Sequence, residues 1–192
     1  QLLALDDRFE PSVQHGLGGL LQSATYIVGL SGGNWLVGSI ATNDFVSVKD
    51  ILSNKLDIWN LDDSIFNAGG WNIVKTADYY KKIDDSVLAK EDYGFPITIT
   101  DVWGRALSSQ FYNNTDYGIN YTFLGIVNQG TFKSHDMPYP IVVSNGRNPD
   151  TTIISGNSTI FEMSPYELGS WDPSLKAFAQ MKYIGSYLEN GT

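Results

Sequence analysis

The chain contains no cysteine. That excludes a disulfide scaffold, a thiolate metal site and a cysteine nucleophile. Histidine is almost as scarce, with two residues, His15 and His135. Basic residues are few: 12 Lys and Arg stand against 21 Asp and Glu, a formal charge of -9. Binding to a phosphate backbone rests on clustered Lys and Arg, so nucleic acid is excluded as a partner. The same deficit disfavours an electrostatic grip on anionic membranes. No apolar run approaches the roughly 20 residues of a membrane span, and no basic leader precedes an apolar stretch. No His, Asp or Glu spacing suits a metal and no glycine-rich loop reads as a phosphate cradle, so neither metal nor cofactor is expected.

What is present is a folding chain of 192 residues, 42% hydrophobic and 13% aromatic. That suffices for one domain with a sizeable core. The chain opens on Gln1 and stops at Glu189-Asn-Gly-Thr192 without a cap, so residues 1–192 are expected to be part of a catalytic domain cut at both ends.

The stretch carrying most chemistry is Thr25-Tyr-Ile-Val-Gly-Leu-Ser-Gly-Gly-Asn-Trp-Leu-Val-Gly38. Strand formers at Thr25 to Val28 run into Gly29-Leu30-Ser31-Gly32-Gly33, and a helix-compatible run, Asn34 to Ala41, follows. Strand, Gly-x-Ser-x-Gly turn, helix is the layout that exposes a serine hydroxyl as a nucleophile. Ser31 is the candidate nucleophile and the Gly32 backbone N–H the candidate oxyanion donor. Glycines at 29, 32 and 33 are expected to permit the turn and a close strand–helix approach. Trp35, beside the turn, is a candidate wall of the substrate site; the remaining tryptophans are expected in the core.

Elsewhere, helices are expected over His15–Ala24, Val46–Leu56 and Asn72–Lys90. In the last, Ile73, Ala77, Tyr80, Ile83 and Val87 recur at steps of three and four. Gly94 and Pro96 end it. Thr98-Ile-Thr-Asp101 reads as a capping box opening a helix that buries Val102, Ala106, Leu107 and Phe111, and Asn113-Asn114 breaks it. Pro138 and Pro140 lead into a strand at Ile141–Val143. Thr151–Ser155 and Ser158–Met163 flank Gly156-Asn157 as a hairpin, and Leu175–Leu188 is loop-like or weakly helical. Strands mixed with helices of this length predict a layered α/β domain.

A serine needs a base to take its proton. A Ser-His-Asp arrangement would fall to His135, in a polar loop, leaving an ordinary serine esterase open as one reading. Another is a non-catalytic surface glycoprotein module of the same fold. Asn113, Asn120, Asn157 and Asn190 each open an Asn-x-Ser/Thr sequon.

The residues also carry a resemblance. Leu17-Gly-Gly-Leu-Leu-Gln-Ser-Ala-Thr-Tyr26 with Gly29-Leu-Ser-Gly-Gly-Asn-Trp-Leu-Val-Gly-Ser39 resembles the fungal phospholipase B (lysophospholipase) family, related to the group IV cytosolic phospholipases of animals. Asp101-Val-Trp-Gly-Arg-Ala-Leu107, Asp136-Met-Pro-Tyr-Pro-Ile-Val-Val143 and Phe161-Glu-Met-Ser-Pro-Tyr-Glu-Leu-Gly-Ser-Trp-Asp-Pro173 extend the likeness over nearly the whole chain. It implies a layered α/β catalytic domain of the patatin, cytosolic phospholipase and lysophospholipase type. It implies hydrolysis of fatty-acyl esters of phospholipids or lysophospholipids at a lipid–water interface, through an acyl-serine on Ser31.

The implied base is an aspartate in a Ser–Asp dyad. Its usual Asp-Gly-Gly segment, and the Gly-Gly-Gly-x-Arg loop that holds the oxyanion and meets phosphate, are not in these residues. No Asp-Gly pair occurs, and Arg8 follows no glycine run. Asp101, Asp136 and Asp172 are therefore expected to cap helices or form turns. The resemblance implies a secreted or cell-surface protein, with any lipid anchor expected beyond Thr192.

Overall fold

The computed structural model describes residues 1–62, 64–65, 73–112, 118–148 and 150–184, without the side chains of 73–75. In chain order come α1 (Leu2–Leu5), α2 (Glu10–Gln14), α3 (Leu20–Ser23), β1 (Tyr26–Leu30), α4 (Gly32–Thr42), α5 (Val48–Leu52), α6 (Ile73–Asp92) and α7 (Ile99–Phe111). A 3-10 turn (Leu124–Asn128), α8 (Gly130–Lys133), β2 (Tyr139–Asn145), β3 (Ile160–Met163), β4 (Glu167–Ser170), β5 (Ala177–Gln180) and a second 3-10 turn (Met181–Tyr183) follow. They form two compact units, Gln1–Ser47 with Thr122–Thr192, and Val48–Tyr121.

The first unit is built on a five-stranded sheet of order β1-β2-β3-β4-β5. β1 and β2 are parallel, with Tyr26 opposite Tyr139 and Leu30 opposite Val143. The remaining pairs are antiparallel neighbours. Helix α4 packs on β1 and β2. Its buried residues Val37, Ile40 and Ala41 join Leu21, Phe45, Ile126 and Met137 in the core. Strand β1 alternates, with Gly29 buried and Tyr26, Val28 and Leu30 exposed. It stands at one edge of the described sheet.

The second unit centres on α6 and α7. Tyr79, Ile83 and Val87 of α6 and Ala106 of α7 form a buried cluster with Ile65 packed against it. The buried tyrosine is Tyr79, where the periodicity points to Tyr80. The i, i+4 row 79-83-87 turns to α7, and the Tyr79 hydroxyl donates to the carbonyls of Ile65 (2.7 Å) and Ala106 (3.2 Å). Tyr80, Ala77 and Val102 are exposed.

The expected Thr98–Asp101 capping box forms: Asp101 accepts from the Thr98 N–H (2.9 Å) and hydroxyl (2.8 Å). It also pairs with Lys90 at 2.7 Å, joining the end of α6 to the start of α7. That hydrogen bond, first among several, holds the Asp101 carboxyl at about 2, against an ordinary 3.8.

Other expectations are corrected. The single helix expected over His15–Ala24 is a turn followed by the four-residue α3, because Gly16 and Gly19 take left-handed φ of 75° and 98°. The helix expected over Val46–Leu56 contracts to α5. Residues 151–155 form no strand; β3 pairs with β2 and β4 instead, so the hairpin about Gly156-Asn157 is absent. The Leu175–Leu188 stretch contributes β5 and a 3-10 turn, and the break expected at Asn113-Asn114 lies outside the described residues. Trp103 and Trp171 are exposed, not core; Trp171 instead leans on Phe178 (4.7 Å between rings) and donates to Glu162 (3.0 Å). Trp71 lies outside the described residues.

Candidate active site

Ser31 joins the C-terminal end of β1 to the first residue of α4. Its backbone has φ 54° and ψ -122°. A left-handed φ at a serine is strained, and such strain persists only where surrounding structure holds it. Two features hold it here. The Asn34 N–H donates to the Ser31 carbonyl (2.9 Å), closing the turn. The Asn34 side chain donates to the Val143 carbonyl (2.8 Å) and accepts from the Val143 N–H (3.2 Å), fastening the start of α4 to β2.

Gly29 is required by this close approach. A Cβ there would sit 2.7 Å from the Gly33 carbonyl oxygen and 2.8 Å from Asn34 Oδ1. Gly32 and Gly33 differ from expectation: a Cβ at either meets open space, and neither has a positive φ. What demands glycine on the strand side is backbone contact; on the helix side the described residues demand nothing.

The outcome is an exposed Ser31 at a helix N-terminus. Gly32, as first helical residue, has an N–H with no intrahelical acceptor, and the helix dipole places partial positive charge there. Trp35 lies one turn along α4, partly exposed. Among the described residues the Ser31 hydroxyl makes no hydrogen bond. His15 points its Nδ1 at the Pro11 carbonyl (2.7 Å). His135 sits exposed in the turn after α8, at φ 62°, and makes no hydrogen bond with Ser31.

The carboxylates singled out in the sequence are engaged structurally. Asp101 caps α7, and Asp136 accepts from the Ser134 hydroxyl (2.5 Å). Asp172 accepts from the Ser174 hydroxyl (2.6 Å) and N–H (2.9 Å), and these bonds hold its carboxyl below the usual value. Arg8 is engaged too: it pairs with the buried Asp6 (2.8 Å), donates to the Phe45 carbonyl (2.6 Å) and lies over the Phe45 ring. Burial pushes the Asp6 carboxyl up, but the hydrogen bonds from Arg8 and Gln22 outweigh it and hold it below its ordinary value. Among the described residues no group of three His, Asp or Glu is placed to hold a metal.

Two surface grooves, of about 680 and 410 Å³, lie along β2 and β3 and the turns that flank them. Arg147 and Asn157 line the larger; Ser31 lines neither. Ser31 stands instead at the end of the edge strand, open to solvent.

The residue that composition and spacing missed is Asn34. Its position, third after the serine, carries no signal until β2 is known to lie beside β1.

A strained, exposed serine between a parallel strand and a helix packed on the same sheet defines an α/β elbow protein. Comparison with known proteins specifies the group further. The family model described as the lysophospholipase catalytic domain matches residues 1–192, and the chain belongs to that family. It is 58% identical to Lysophospholipase 3 of Candida albicans, over all of this chain and 26% of that protein. It is 47% identical to a Lysophospholipase of Torulaspora delbrueckii, over 99% of this chain and 30% of that protein. Among solved structures, human GIVD cytosolic phospholipase A2 superposes with a TM-score of 0.64 at 21% identity, covering 93% of this chain and 21% of that one. That likeness speaks for the fold: a mixed α/β catalytic architecture shared with the cytosolic phospholipases. The chain thus spans 26–30% of the length of these fungal relatives.

Proposed function

We propose that the protein to which these residues belong hydrolyses fatty-acyl esters of lysophospholipids and phospholipids, with Ser31 as nucleophile. The observation that carries this is the Ser31 elbow: φ 54°, exposed hydroxyl, and a helix N-terminus behind it. Ser31 Oγ attacks the ester carbonyl carbon as its proton passes to a base. The carbonyl oxygen gains negative charge beside the Gly32 N–H. The ester C–O bond then breaks, the proton returns to the departing alcohol, and an acyl-serine remains. Water, deprotonated by the same base, releases the fatty acid and restores Ser31.

The base is an aspartate carried by polypeptide beyond the described residues, as the family resemblance implies; the engaged carboxylates within them favour that source. Trp35 walls the acyl site. The enzyme meets its substrate at a lipid–water interface and is secreted or cell-surface. The exposed sequons Asn120 and Asn157 favour that location, as a glycan needs solvent. Asn113 and Asn190 lie outside the described residues.

The test is a fluorophosphonate probe on the full-length protein, with peptide mapping. The expected result is labelling of the Ser31 peptide and none in Ser31→Ala, which also loses turnover by about 10⁴-fold or more. Labelling elsewhere sinks the assignment. His135→Ala is expected to leave turnover unchanged.

A further inference from the structure

The α6–α7 hairpin tip carries apolar side chains that its own unit leaves bare. Tyr93 is 84% and Ile99 86% exposed, and Ile97, Val102 and Trp103 are exposed beside them. The tip is braced. Lys90 at the end of α6 pairs with Asp101 in the first turn of α7, and the capping box fixes Thr98. Gly94, at φ 83°, turns the chain where an L side chain would be strained. The N–H groups of Tyr93, Gly94, Phe95, Thr98 and Asp101 all find acceptors within the hairpin.

These features favour one occupant over another. A protein partner that adds a strand needs free backbone groups; this tip has bonded the N–H groups just named internally and offers side chains. A lipid surface supplies no hydrogen bonds in its apolar part, so a penetrating segment must satisfy its backbone from within. Tyr and Trp rings suit the boundary between head groups and acyl chains. The charge at the neck selects among lipids. Lys90 is neutralised by Asp101, leaving Glu91 and Asp92 as exposed carboxylates. The chain as a whole carries -9. An anionic surface would repel it, so attachment rests on apolar burial into an uncharged or zwitterionic one.

We infer that the tip formed by Tyr93, Ile97, Ile99, Val102 and Trp103 inserts into zwitterionic lipid surfaces and anchors the enzyme there. This rests on the proposed phospholipid substrate and names the surface by which the enzyme holds it.

The test uses the full-length protein with Tyr93→Asp and Ile99→Asp combined. Three quantities are measured: co-sedimentation with phosphatidylcholine vesicles, the rate of fluorophosphonate labelling at Ser31, and the thermal midpoint. Partition is expected to fall by about tenfold to a hundredfold, as two buried apolar side chains are lost. Labelling rate and midpoint should not change. Tyr93→Trp should keep wild-type partition, and vesicles containing phosphatidylserine should bind the wild type less well than phosphatidylcholine alone.

Unchanged partition in the double variant overturns the inference. So does a variant that is misfolded or has a lowered midpoint, since the tip would then be covered by other polypeptide. A preference for anionic vesicles overturns it as well. If the wild type binds vesicles through the tip while Ser31 takes no probe, the anchor stands and the proposed chemistry falls.

Discussion

Three residues around the elbow act by distinct means, and substitution separates them. Gly29 is a steric requirement. In Gly29→Ala the new methyl group meets the Gly33 carbonyl at 2.7 Å, so strand and helix must part. The expected cost is about 1–3 kcal/mol, as for other overpacked sites. A lowered thermal midpoint together with slower probe labelling checks it. Asn34 is a positioning residue. Asn34→Ala strips both hydrogen bonds from the Val143 backbone and should cost about 1–3 kcal/mol. Labelling of Ser31 should slow in that variant even where the protein remains folded, because the first turn of α4 is no longer tied to β2. Ser31 itself was legible from five residues and their strand-then-helix setting. Asn34 was not, since its partner lies 109 positions away.

At the scale of elements, the α6–α7 hairpin is the part whose chemistry was most local. A capping box spans four residues, and its reading needed nothing beyond them. The helix period gave the right segment but the wrong tyrosine. Tyr79 and Tyr80 are adjacent on the helix, and only the position of α7 decides which is covered. Tyr79→Phe keeps the ring and leaves two buried carbonyls short of a donor; a loss of about 1 kcal/mol by denaturant unfolding is expected.

Asp101 gives a prediction in pH. Its folded value, about 2, lies below the ordinary 3.8, so its contribution is fully present above 3.8 and lost as pH falls toward 2. In Asp101→Asn, the thermal midpoint should depend less on pH through that window than in the wild type. Equal acid slopes in the two proteins would show that the Lys90–Asp101 pair is not coupled to folding.

For the whole molecule, the edge strand matters most. β1 is parallel to its neighbour, and parallel sheets are normally covered on both faces. Here Tyr26, Val28 and Leu30 are exposed. An open edge of this kind pairs readily with other chains. The 192 residues alone should therefore self-associate, as seen by light scattering, and should hydrolyse lysophospholipid at least about a hundredfold more slowly than the full-length protein. The rate expectation follows from the Ser31 hydroxyl having no hydrogen-bonded base among the described residues. A full rate from the isolated chain would place the base within these residues and revive His135 as a candidate.

What the amino-acid order determined by itself was local: the elbow, the capping box, the glycine interruptions and the two principal helices. Each depends on groups within a few positions of one another, where chain geometry leaves little choice. Tertiary structure alone decided that β3 pairs with β2 rather than with residues 151–155. It also decided that Tyr79 is buried rather than Tyr80, that Trp103 and Trp171 face solvent, and that Asn34 grips Val143. Each of these is a competition between distant segments for the same hydrogen bonds or the same apolar cover. Such contests are won by the sum of contacts in the folded state, which no short window of sequence contains.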